Sequence, residues 1–343
     1  MRPSPPAAVA SVVALAAGSW LVRHVTSPAV RGWSPPSGER GRAGGLAVRR
    51  LGAGEDRPVI VLLHGLTASG DWWGGGYDVL AEDAEVVVPD LLGFGASMDV
   101  DRGDFSREAH LDALDAMVDE LGLTGRPLTV VGHSMGTLVA LHWAARRPET
   151  VRVVAFSAPL YDSREEAERH IARLGPLERF FGLDTGLAER TCALMCEYRS
   201  TAQWLWTAVS PQWPVRLARH GVLHTWPAYL GGMEGLIIRG EWETALEQLD
   251  ERGVPVLLAD GAEDPIPVAG RAQRLASAHR CVRTARHPSA AHDLPAAYPN
   301  WSREQVRAAA TGTPALTRLP APERRCRSPA TDSPGRDPRP RPR

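Results

Sequence analysis

The sequence predicts an α/β fold, with a mostly parallel central sheet, helices on both faces of that sheet and a helical insertion. Short runs of consecutive apolar residues, which strands buried on both faces require, alternate with segments of helical spacing. This alternation stops between Ala158 and Glu241, where the sequence is rich in Arg, Glu, Leu and Trp. The chain has 343 residues, of which 43% are hydrophobic, so one large core with an insertion is favoured over two equal domains.

The first 44 residues are predicted to precede the core, as an apolar leader followed by a Pro/Gly/Arg-rich linker. Residues 7–22 are an uncharged apolar run, slightly shorter than the roughly 17 to 25 residues that span a bilayer. Only Arg2 precedes this run, whereas Arg23 and His24 follow it, which is the reverse of a secretory signal. We expect a helix packed on the domain or an unstructured leader. A membrane anchor, an export signal or weak membrane association through residues 7–22 is the alternative.

The predicted core comprises residues 45–157 and 242–311, and residues 158–241 are the predicted helical insertion. Five apolar runs are predicted strands: Pro58–Leu63, Glu85–Val88, Leu128–Val131, Val151–Phe156 and Val254–Leu258. Between the second and third runs, apolar residues recur at helical spacing after Ser106, which is a suitable N-cap. A further short strand is expected near Val282. Strands and helices in repetition imply a sheet covered by helices on both sides.

The composition excludes several kinds of chemistry. The formal net charge is -1, so no global basic field points to nucleic acid. All 39 basic residues are arginine, which rules out a P-loop lysine, a lysine Schiff base and a pyridoxal phosphate anchor. The 4 cysteines do not form a disulfide framework in a chain of this length, which favours the cytoplasm. Residues 312–343 combine eight Arg with repeated Pro, so we expect disorder there.

Gly132-His133-Ser134-Met135-Gly136 is the strongest candidate for a catalytic motif. It matches the pattern G-x-S-x-G, directly follows the third predicted strand and precedes a helix-forming run that begins at Thr137. A serine at such a turn has a strained backbone, and the flanking Gly132 and Gly136 lack the Cβ atoms that would collide there. The nearby helix N-terminus favours developing negative charge. Ser134 is therefore the predicted nucleophile, and an ordinary Gly-rich turn capped by a serine is the alternative.

A serine nucleophile requires a base and an acidic group that orients the base. Asp260, Glu263 and Asp264 follow the last of the five predicted strands, and any of them could merely cap the next helix. Asp260 directly abuts the strand. A turn at Gly261 would carry Asp264 over the carboxyl edge, where ligands bind in open α/β sheets. We therefore prefer Asp264 as the acid.

Three histidines near the end of the predicted core are candidates for the base: His279, His287 and His292. His292 follows a stretch of small residues that begins at Ser289, and a base in such a loop can reach the serine. His287 is its main rival, whereas His279 is expected to be an exposed residue at a helix end. His292 is the preferred base.

Acyl transfer also requires hydrogen-bond donors for the oxyanion. The first predicted strand is followed by His64-Gly65-Leu66, where Gly65 allows a close approach of the backbone. The backbone N–H groups of Leu66 and Met135 are the predicted pair of donors. We expect His64 to hydrogen-bond the loop backbone and hold the turn rather than transfer protons.

The order of these motifs resembles the α/β-hydrolase superfamily, in its esterase, lipase and C–C hydrolase branch. The resemblance covers roughly residues 45 to 310 and rests on His64–Leu66, Pro89–Ser97, Gly132–Gly136, Asp260–Asp264 and His292. It implies a triad of Ser134, Asp264 and His292, oxyanion donors at Leu66 and Met135, and a cap over residues 158–241. The chain departs from the family pattern at Thr137, where many relatives have a second glycine, and in the loop around His292.

These residues predict a serine hydrolase that cleaves a carboxylic ester, of carboxylesterase or lipase type, through an acyl-enzyme on Ser134. A C–C bond hydrolase or a thioesterase with the same triad is the alternative enzyme. A non-catalytic small-molecule binder on the same fold is the alternative from another class. The expected substrate is a small molecule with an apolar acyl or alcohol group, and no cofactor or metal is expected.

Two further patterns lie in the predicted insertion or at its end. His220 and His224 have the spacing of a zinc-binding pair, but Gly221 stands where a zincin has Glu, so we do not predict a metal site. Five of the 11 tryptophans fall between residues 204 and 242. They indicate aromatic packing of a small helical layer, an apolar pocket over Ser134, or both.

Overall fold

The computed structural model of the protein describes residues 17–175 and 185–311, and in this part of the chain eight strands form one sheet. The strands are β1 Glu39–Ala43, β2 Leu46–Leu51, β3 Val59–Leu63, β4 Glu85–Pro89, β5 Leu128–His133, β6 Thr150–Phe156, β7 Val256–Gly261 and β8 Val282–His287. Their order in the sheet is β1-β2-β4-β3-β5-β6-β7-β8. Six neighbouring strands run parallel to one another: β4, β3, β5, β6, β7 and β8. Strand β2 is antiparallel to both of its neighbours, β1 and β4. All five predicted strands are present, as is the strand expected near Val282.

The prediction of a linker before residue 45 is wrong, because much of that stretch belongs to the fold. Pro28–Gly32 is a helix, and β1 pairs with β2 as a hairpin. Gly44 and Gly45 join the two strands with φ angles of 58° and 79°, which glycine adopts without strain. Four of the five β1 residues are exposed, so this strand lacks the apolar run on which the prediction relied.

Helices flank the sheet on both sides. After Pro28–Gly32, the α-helices are Arg107–Glu120, Met135–Arg146, Arg164–Leu174, Thr185–Glu197, Arg199–Val209, Val215–His220, Trp226–Leu230, Trp242–Glu251, Arg271–Ala278, Leu294–Ala297 and Pro299–Thr311. Residues 17–26 are also helical. Helices of 3-10 type lie at Gly70–Trp73, Gly75–Glu82 and Gly95–Ser97, and Gly231–Ile238 is a π-helix. Ser106 caps the helix that follows it, as predicted, because its hydroxyl accepts a hydrogen bond from the Ala109 amide.

Alternate residues of the central strands enter two apolar cores, one on each face of the sheet. In β3, for example, Val61 belongs to one core and Ile60 to the other. Residues of helix Met135–Arg146 complete the first core, and Val306 of helix Pro299–Thr311 contributes to the second. This arrangement confirms the predicted sheet with helices on both faces. It also fixes the carboxyl ends of the parallel strands at one edge, where the loops that follow them meet.

Residues 158–241, which we call the cap segment, lie above that edge. Their described secondary structure is helical, apart from one isolated bridge between His224 and Phe94. A Cβ atom added at Gly232 would lie 2.7 Å from side-chain atoms of Leu66 and of Met135. The cap segment is therefore in direct contact with the loops after β3 and β5, as expected for an insertion over the sheet.

Residues 17–27 pack against the cap segment. The Trp20 indole N–H donates to the Thr207 carbonyl oxygen at 3.4 Å, and the Ser27 hydroxyl donates to the Gln212 carbonyl oxygen at 2.6 Å. This described part of the predicted leader is therefore a helix packed on the rest of the protein and not an unstructured segment.

The rest of the predicted leader, residues 1–16, lies outside the described residues, as does the stretch 312–343 for which we predicted disorder. Within the ranges that the structure describes, no helix combines the length and the apolar character needed to cross a membrane.

Candidate active site

Ser134 stands at the sharp turn between β5 and helix Met135–Arg146, with φ 52° and ψ -124°. A serine adopts this backbone conformation only at a cost of about 1 to 3 kcal/mol, so surrounding contacts must hold it. A Cβ atom at Gly132 would lie 2.4 Å from the Gly136 carbonyl oxygen, and one at Gly136 would lie 2.4 Å from the His64 carbonyl oxygen. The two glycines are therefore needed for close packing of the turn, for the reason that the sequence predicts.

The structure brings the predicted nucleophile, base and acid together in a hydrogen-bonded chain. Ser134 Oγ lies 3.0 Å from His292 Nε2, and His292 Nδ1 lies 3.1 Å and 3.2 Å from the two carboxylate oxygens of Asp264. The Asp264 side chain is fully buried, whereas 31% of the His292 side chain is exposed. A buried carboxylate, an imidazole and an accessible hydroxyl in this order have the geometry of a nucleophile with its general base.

Asp264 is held by the turn that follows β7. Its amide donates to the Gly261 carbonyl oxygen at 3.4 Å, and its carboxylate accepts a hydrogen bond of 2.9 Å from the Ile266 amide. Burial alone would raise the pKa of Asp264, but the nearby His292 and the hydrogen bonds to the carboxylate outweigh it and hold this pKa below its ordinary value. An ionised Asp264 keeps the proton of His292 on Nδ1, so that Nε2 is free to accept the proton of Ser134.

The rival carboxylates are placed differently. Glu263 is exposed, and Asp260 lies within β7 itself without a hydrogen bond to His292. Burial and the negative charge of Asp264 raise the pKa of Asp260 to about 6. Asp260 therefore lies close enough to Asp264 and His292 to interact with their charges, but it does not orient the imidazole of His292.

The rival histidines do not reach Ser134. His287 is buried, and its ring packs on Tyr298 with ring centroids 4.1 Å apart. His279 lies next to Asp250 at the end of helix Arg271–Ala278, with Nδ1 3.6 Å from the carboxylate. Both positions are structural, which leaves His292 as the histidine that contacts the serine hydroxyl.

Leu66 follows β3 and Met135 follows β5, so their two backbone amides lie on neighbouring loops. Met135 is the first residue of its helix, and no hydrogen bond from its amide or from that of Leu66 is found within residues 17–175 and 185–311. Gly65 touches the nucleophile, because a Cβ atom there would lie 3.1 Å from the Ser134 Cβ atom. These positions are suitable for a pair of oxyanion donors.

His64 holds the loop that carries Leu66. Its Nδ1–H donates to the Gly65 carbonyl oxygen at 2.8 Å, and its Nε2 accepts a hydrogen bond of 2.8 Å from the Leu91 amide. The ring is fully buried, and this burial lowers the pKa of His64, so the imidazole is neutral. With both nitrogens engaged, His64 fixes the turn as predicted and has no free atom for proton transfer.

One contact of the site was not predicted from the sequence. His133 Nε2–H donates to the backbone carbonyl oxygen of His292 at 2.8 Å, and the His133 ring stacks on Trp72 with centroids 4.7 Å apart. Burial and the neighbouring His292 lower the pKa of His133 to about 3, so this ring is also neutral. His133, the residue before the nucleophile, thereby anchors the loop that carries His292. Its only signal in the sequence is its place beside Ser134.

Two cavities meet at Ser134 and His292. The larger, of about 350 Å³, is lined mainly by apolar side chains of the cap segment, among them Trp206 and Met233. The smaller, of about 200 Å³, lies on the side of His133 and shares Trp206 as a wall. His224 lines the larger cavity and His220 the smaller, so the two histidines with zinc-like spacing face different spaces. The site thus has open space on two sides of Ser134.

Comparison with known proteins identifies the fold around this site. The family described as alpha/beta hydrolase fold matches residues 58–189, which include the turn at Ser134. The chain therefore has the α/β-hydrolase fold, and residues 58–189 belong to that family. The match to the α/β-hydrolase family ends before Asp264 and His292, so the placement of these two residues rests on the structure.

Sequence relatives of this α/β-hydrolase have different activities. A haloalkane dehalogenase of Bradyrhizobium diazoefficiens is 38% identical over 111 residues, which are 32% of this chain and 34% of the dehalogenase. A lipase of Mycobacterium tuberculosis is 36% identical over 114 residues, which are 33% of this chain and 41% of the lipase. The chain spans about a third of the length of the curated relatives it matches first.

Solved α/β-hydrolase structures align over most of the chain. An esterase of Thermogutta terrifontis aligns with 80% of this chain and 98% of its own, with a TM-score of 0.57 and 22% identity. A bromoperoxidase of Bacillus anthracis aligns with 80% of this chain and 100% of its own, with a TM-score of 0.61 and 18% identity. At these identities the likeness shows the fold alone.

Proposed function

We propose that the protein is a serine hydrolase that cleaves carboxylic esters through a covalent acyl-enzyme on Ser134. The observation that carries the proposal is the hydrogen-bonded chain from Ser134 through His292 to the buried Asp264, placed where two cavities meet. A hydroxyl is a weak nucleophile at its ordinary pKa, and an adjacent oriented base is what activates it.

The proposed reaction has two stages. His292 Nε2 takes the hydroxyl proton while Ser134 Oγ attacks the ester carbonyl carbon, and the oxyanion accepts hydrogen bonds from the Leu66 and Met135 amides. The intermediate collapses by breaking the bond to the alcohol oxygen, which receives the proton from His292 and leaves. Water then attacks the acyl-enzyme, gives one proton to His292 and releases the acid, and Ser134 regains its proton.

Asp264 serves both stages without titrating. Its negative charge stabilises the imidazolium that forms on His292, and its hydrogen bond keeps the ring in the orientation in which Nε2 faces Ser134. The low pKa of Asp264 keeps this carboxylate ionised across the neutral range.

Dehalogenation, the activity of one relative, does not suit this nucleophile. If Ser134 displaced halide from an alkyl carbon, the product would be an ether, which a second attack by water does not hydrolyse. A carboxylate at the same position would form an ester that water can open. Serine at the turn therefore favours substrates that contain a carbonyl group.

The substrate that we propose is a small molecule with an apolar acyl or alcohol group in the larger cavity. At about 350 Å³ this cavity is near the lower end of the sizes typical of ligand sites, which favours short or medium chains over long ones. A cytoplasmic location is part of the proposal, since Cys192, Cys196 and Cys281 are all free thiols.

The proposal is tested with the purified protein on the p-nitrophenyl esters acetate, butyrate, octanoate and palmitate, together with a thioester and a fluorophosphonate label. We expect the highest kcat/KM on butyrate or octanoate. Ser134→Ala should abolish hydrolysis and labelling, while Ser277→Ala, at an exposed position near a helix end, should retain both.

Labelling of Ser134→Ala at the level of the unaltered protein would refute the assignment of Ser134 as the nucleophile. A higher kcat/KM on the thioester than on every ester would assign the thioesterase instead, and ligand binding without labelling would indicate a non-catalytic binder.

A further inference from the structure

The smaller cavity contains a polar pair that the proposed reaction does not use. Ser69 precedes the turn Gly70–Trp73 in the core, and His220 ends helix Val215–His220 in the cap segment. Ser69 Oγ lies 2.7 Å from His220 Nδ1, and both residues line the cavity together with Ser134 and His292. The pair therefore faces the same space as one side of a bound substrate.

The direction of this hydrogen bond follows from the surroundings of Ser69. Its hydroxyl oxygen already accepts a hydrogen bond of 3.3 Å from the Asp71 amide, and the residue is buried. The only acceptor that the described residues offer to the hydroxyl hydrogen is His220 Nδ1. Because a buried donor without a partner is costly, the hydroxyl donates to Nδ1.

Asp71 does not compete for the imidazole. Its two carboxylate oxygens each accept a hydrogen bond of 2.6 Å, one from Arg40 and one from Arg216, and the nearer oxygen is 3.7 Å from His220 Nδ1. Burial lowers the pKa of His220, so the ring is neutral at neutral pH. A neutral imidazole whose Nδ1 accepts a hydrogen bond must carry its proton on Nε2.

The Nε2–H group of His220 has no hydrogen-bond partner among residues 17–175 and 185–311, and it is not one of the buried unpartnered atoms. It is therefore an accessible donor on a residue that lines the smaller cavity. The positive charges of Arg40 and Arg216 nearby are balanced by Asp71 and Asp90. The region thus carries no excess positive charge that would favour a carboxylate ligand.

We propose that His220 is a specificity-determining residue, which donates a hydrogen bond from Nε2 to a neutral carbonyl or ether oxygen on the substrate group in the smaller cavity. The inference rests on the proposed ester hydrolysis and narrows its substrate class. The substrate would be an ester with an apolar group for the larger cavity and a short oxygen-bearing group for the smaller one.

Two pairs of esters test this inference, one for each side of the ester bond. Octyl acetoacetate is compared with octyl isovalerate, and acetonyl octanoate is compared with isobutyl octanoate. In each pair a ketone oxygen replaces a methyl group of similar size. The readout is kcat/KM for the ketone ester divided by kcat/KM for its partner. Comparing this ratio between the unaltered protein and a variant cancels the intrinsic reactivity of the esters.

In His220→Phe we expect this ratio to fall by about three- to tenfold for one of the two pairs, the size expected for one neutral hydrogen bond. His220→Gln, whose amide can still donate, should retain part of the preference. His224→Phe, which alters the larger cavity, should leave the ratio unchanged. If His220→Phe does not fold, Ser69→Ala replaces it, because loss of the hydroxyl that fixes the proton on Nε2 should also lower the ratio.

Unaltered ratios for both pairs in a folded His220→Phe or Ser69→Ala variant would overturn the inference. Such a result would leave the proposed function intact, provided that the esters are still hydrolysed through Ser134. Absence of hydrolysis of every ester and of fluorophosphonate labelling in the unaltered protein would refute the proposed function itself.

Discussion

Among single residues, the proposed mechanism depends on which carboxylate faces the base. Asp264 and Asp260 are only four positions apart, yet the turn after β7 places Asp264 against His292 Nδ1 and leaves Asp260 in the strand. The two also differ in electrostatics, because the pKa of Asp264 is lowered and that of Asp260 is raised to about 6. A carboxylate that stabilises an imidazolium must itself stay ionised. The lowered pKa of Asp264 keeps its carboxylate ionised at neutral pH.

Asp264→Asn should lower kcat by up to about four orders of magnitude with little change in KM, because the amide favours the wrong tautomer of His292 and does not stabilise its cation. Steady-state kinetics on a p-nitrophenyl ester, with circular dichroism to verify folding, measures this effect. Asp260→Asn is the matched control and should retain most of the activity. A collapse of kcat in Asp260→Asn beside a nearly unaltered Asp264→Asn would show that the acid is misassigned.

At the scale of elements, the reactive turn depends on how closely β3, β5 and the helix after Ser134 approach one another. Gly136 lies against the carbonyl oxygens of Leu63 and His64, so the first turn of the helix packs directly on the end of β3. This contact holds the loop of Met135 against the loop of Leu66. In the proposed mechanism these two loops supply the oxyanion donors, so the placement of the donors depends on strand packing as well as on the two residues.

Gly136→Ala should destabilise the protein by several kcal/mol or prevent folding, since the added Cβ atom would meet backbone oxygens at 2.4 Å and 2.6 Å. Urea unfolding and hydrolysis assays measure the two effects. Gly41→Ala, at a β1 position with open space around the added atom, should change the free energy of unfolding by less than about 0.5 kcal/mol. If Gly136→Ala has the stability and kcat of the unaltered protein, the packing argument for the turn is wrong.

The elements that could be predicted are those with a local signal. The buried parallel strands are continuous apolar runs, and the turn at Ser134 has its glycines within two positions. β1 could not be found in this way, because its residues are mostly exposed and its pairing with β2 satisfies the backbone without an apolar run. The contacts of His133 with His292 and of Ser69 with His220 join residues 159 and 151 positions apart, so only the folded chain shows them.

At the scale of the whole molecule, the buried Asp71 joins three parts of the chain. Its carboxylate binds Arg40 of the edge strand β1 and Arg216 of the cap segment, while its own position is in the turn after β3. Burial alone would raise the pKa of Asp71, but the two guanidinium groups outweigh it and hold the pKa below its ordinary value. The cap segment is thus tied to the core by a charge pair that depends on an ionised carboxylate.

Asp71→Asn should lower the free energy of unfolding by about 1 to 3 kcal/mol at pH 7, and it should raise KM because the cap segment loses a contact with the core. Since the folded-state pKa of Asp71 is below its unfolded value, the stabilisation is fully present above that unfolded value and is lost as pH falls through the folded one. The difference between variant and unaltered protein should therefore shrink below about pH 4.

Urea unfolding at a series of pH values measures this difference, and Asp99→Asn, at an exposed position, is the control that should show none. An effect of Asp71→Asn that is equally large at pH 7 and below pH 4 would mean that the ionised carboxylate is not its source.

The covalent acyl-enzyme on Ser134 can be trapped and identified by its mass. The protein is mixed with p-nitrophenyl butyrate, quenched in acid within the first turnover, digested and analysed by mass spectrometry. We expect a burst of about one equivalent of p-nitrophenol and a butyryl group on the peptide that contains Ser134, with neither in Ser134→Ala. Turnover of the ester with no acyl group on that peptide, or with the acyl group on another residue, would rule out an acyl-enzyme on Ser134.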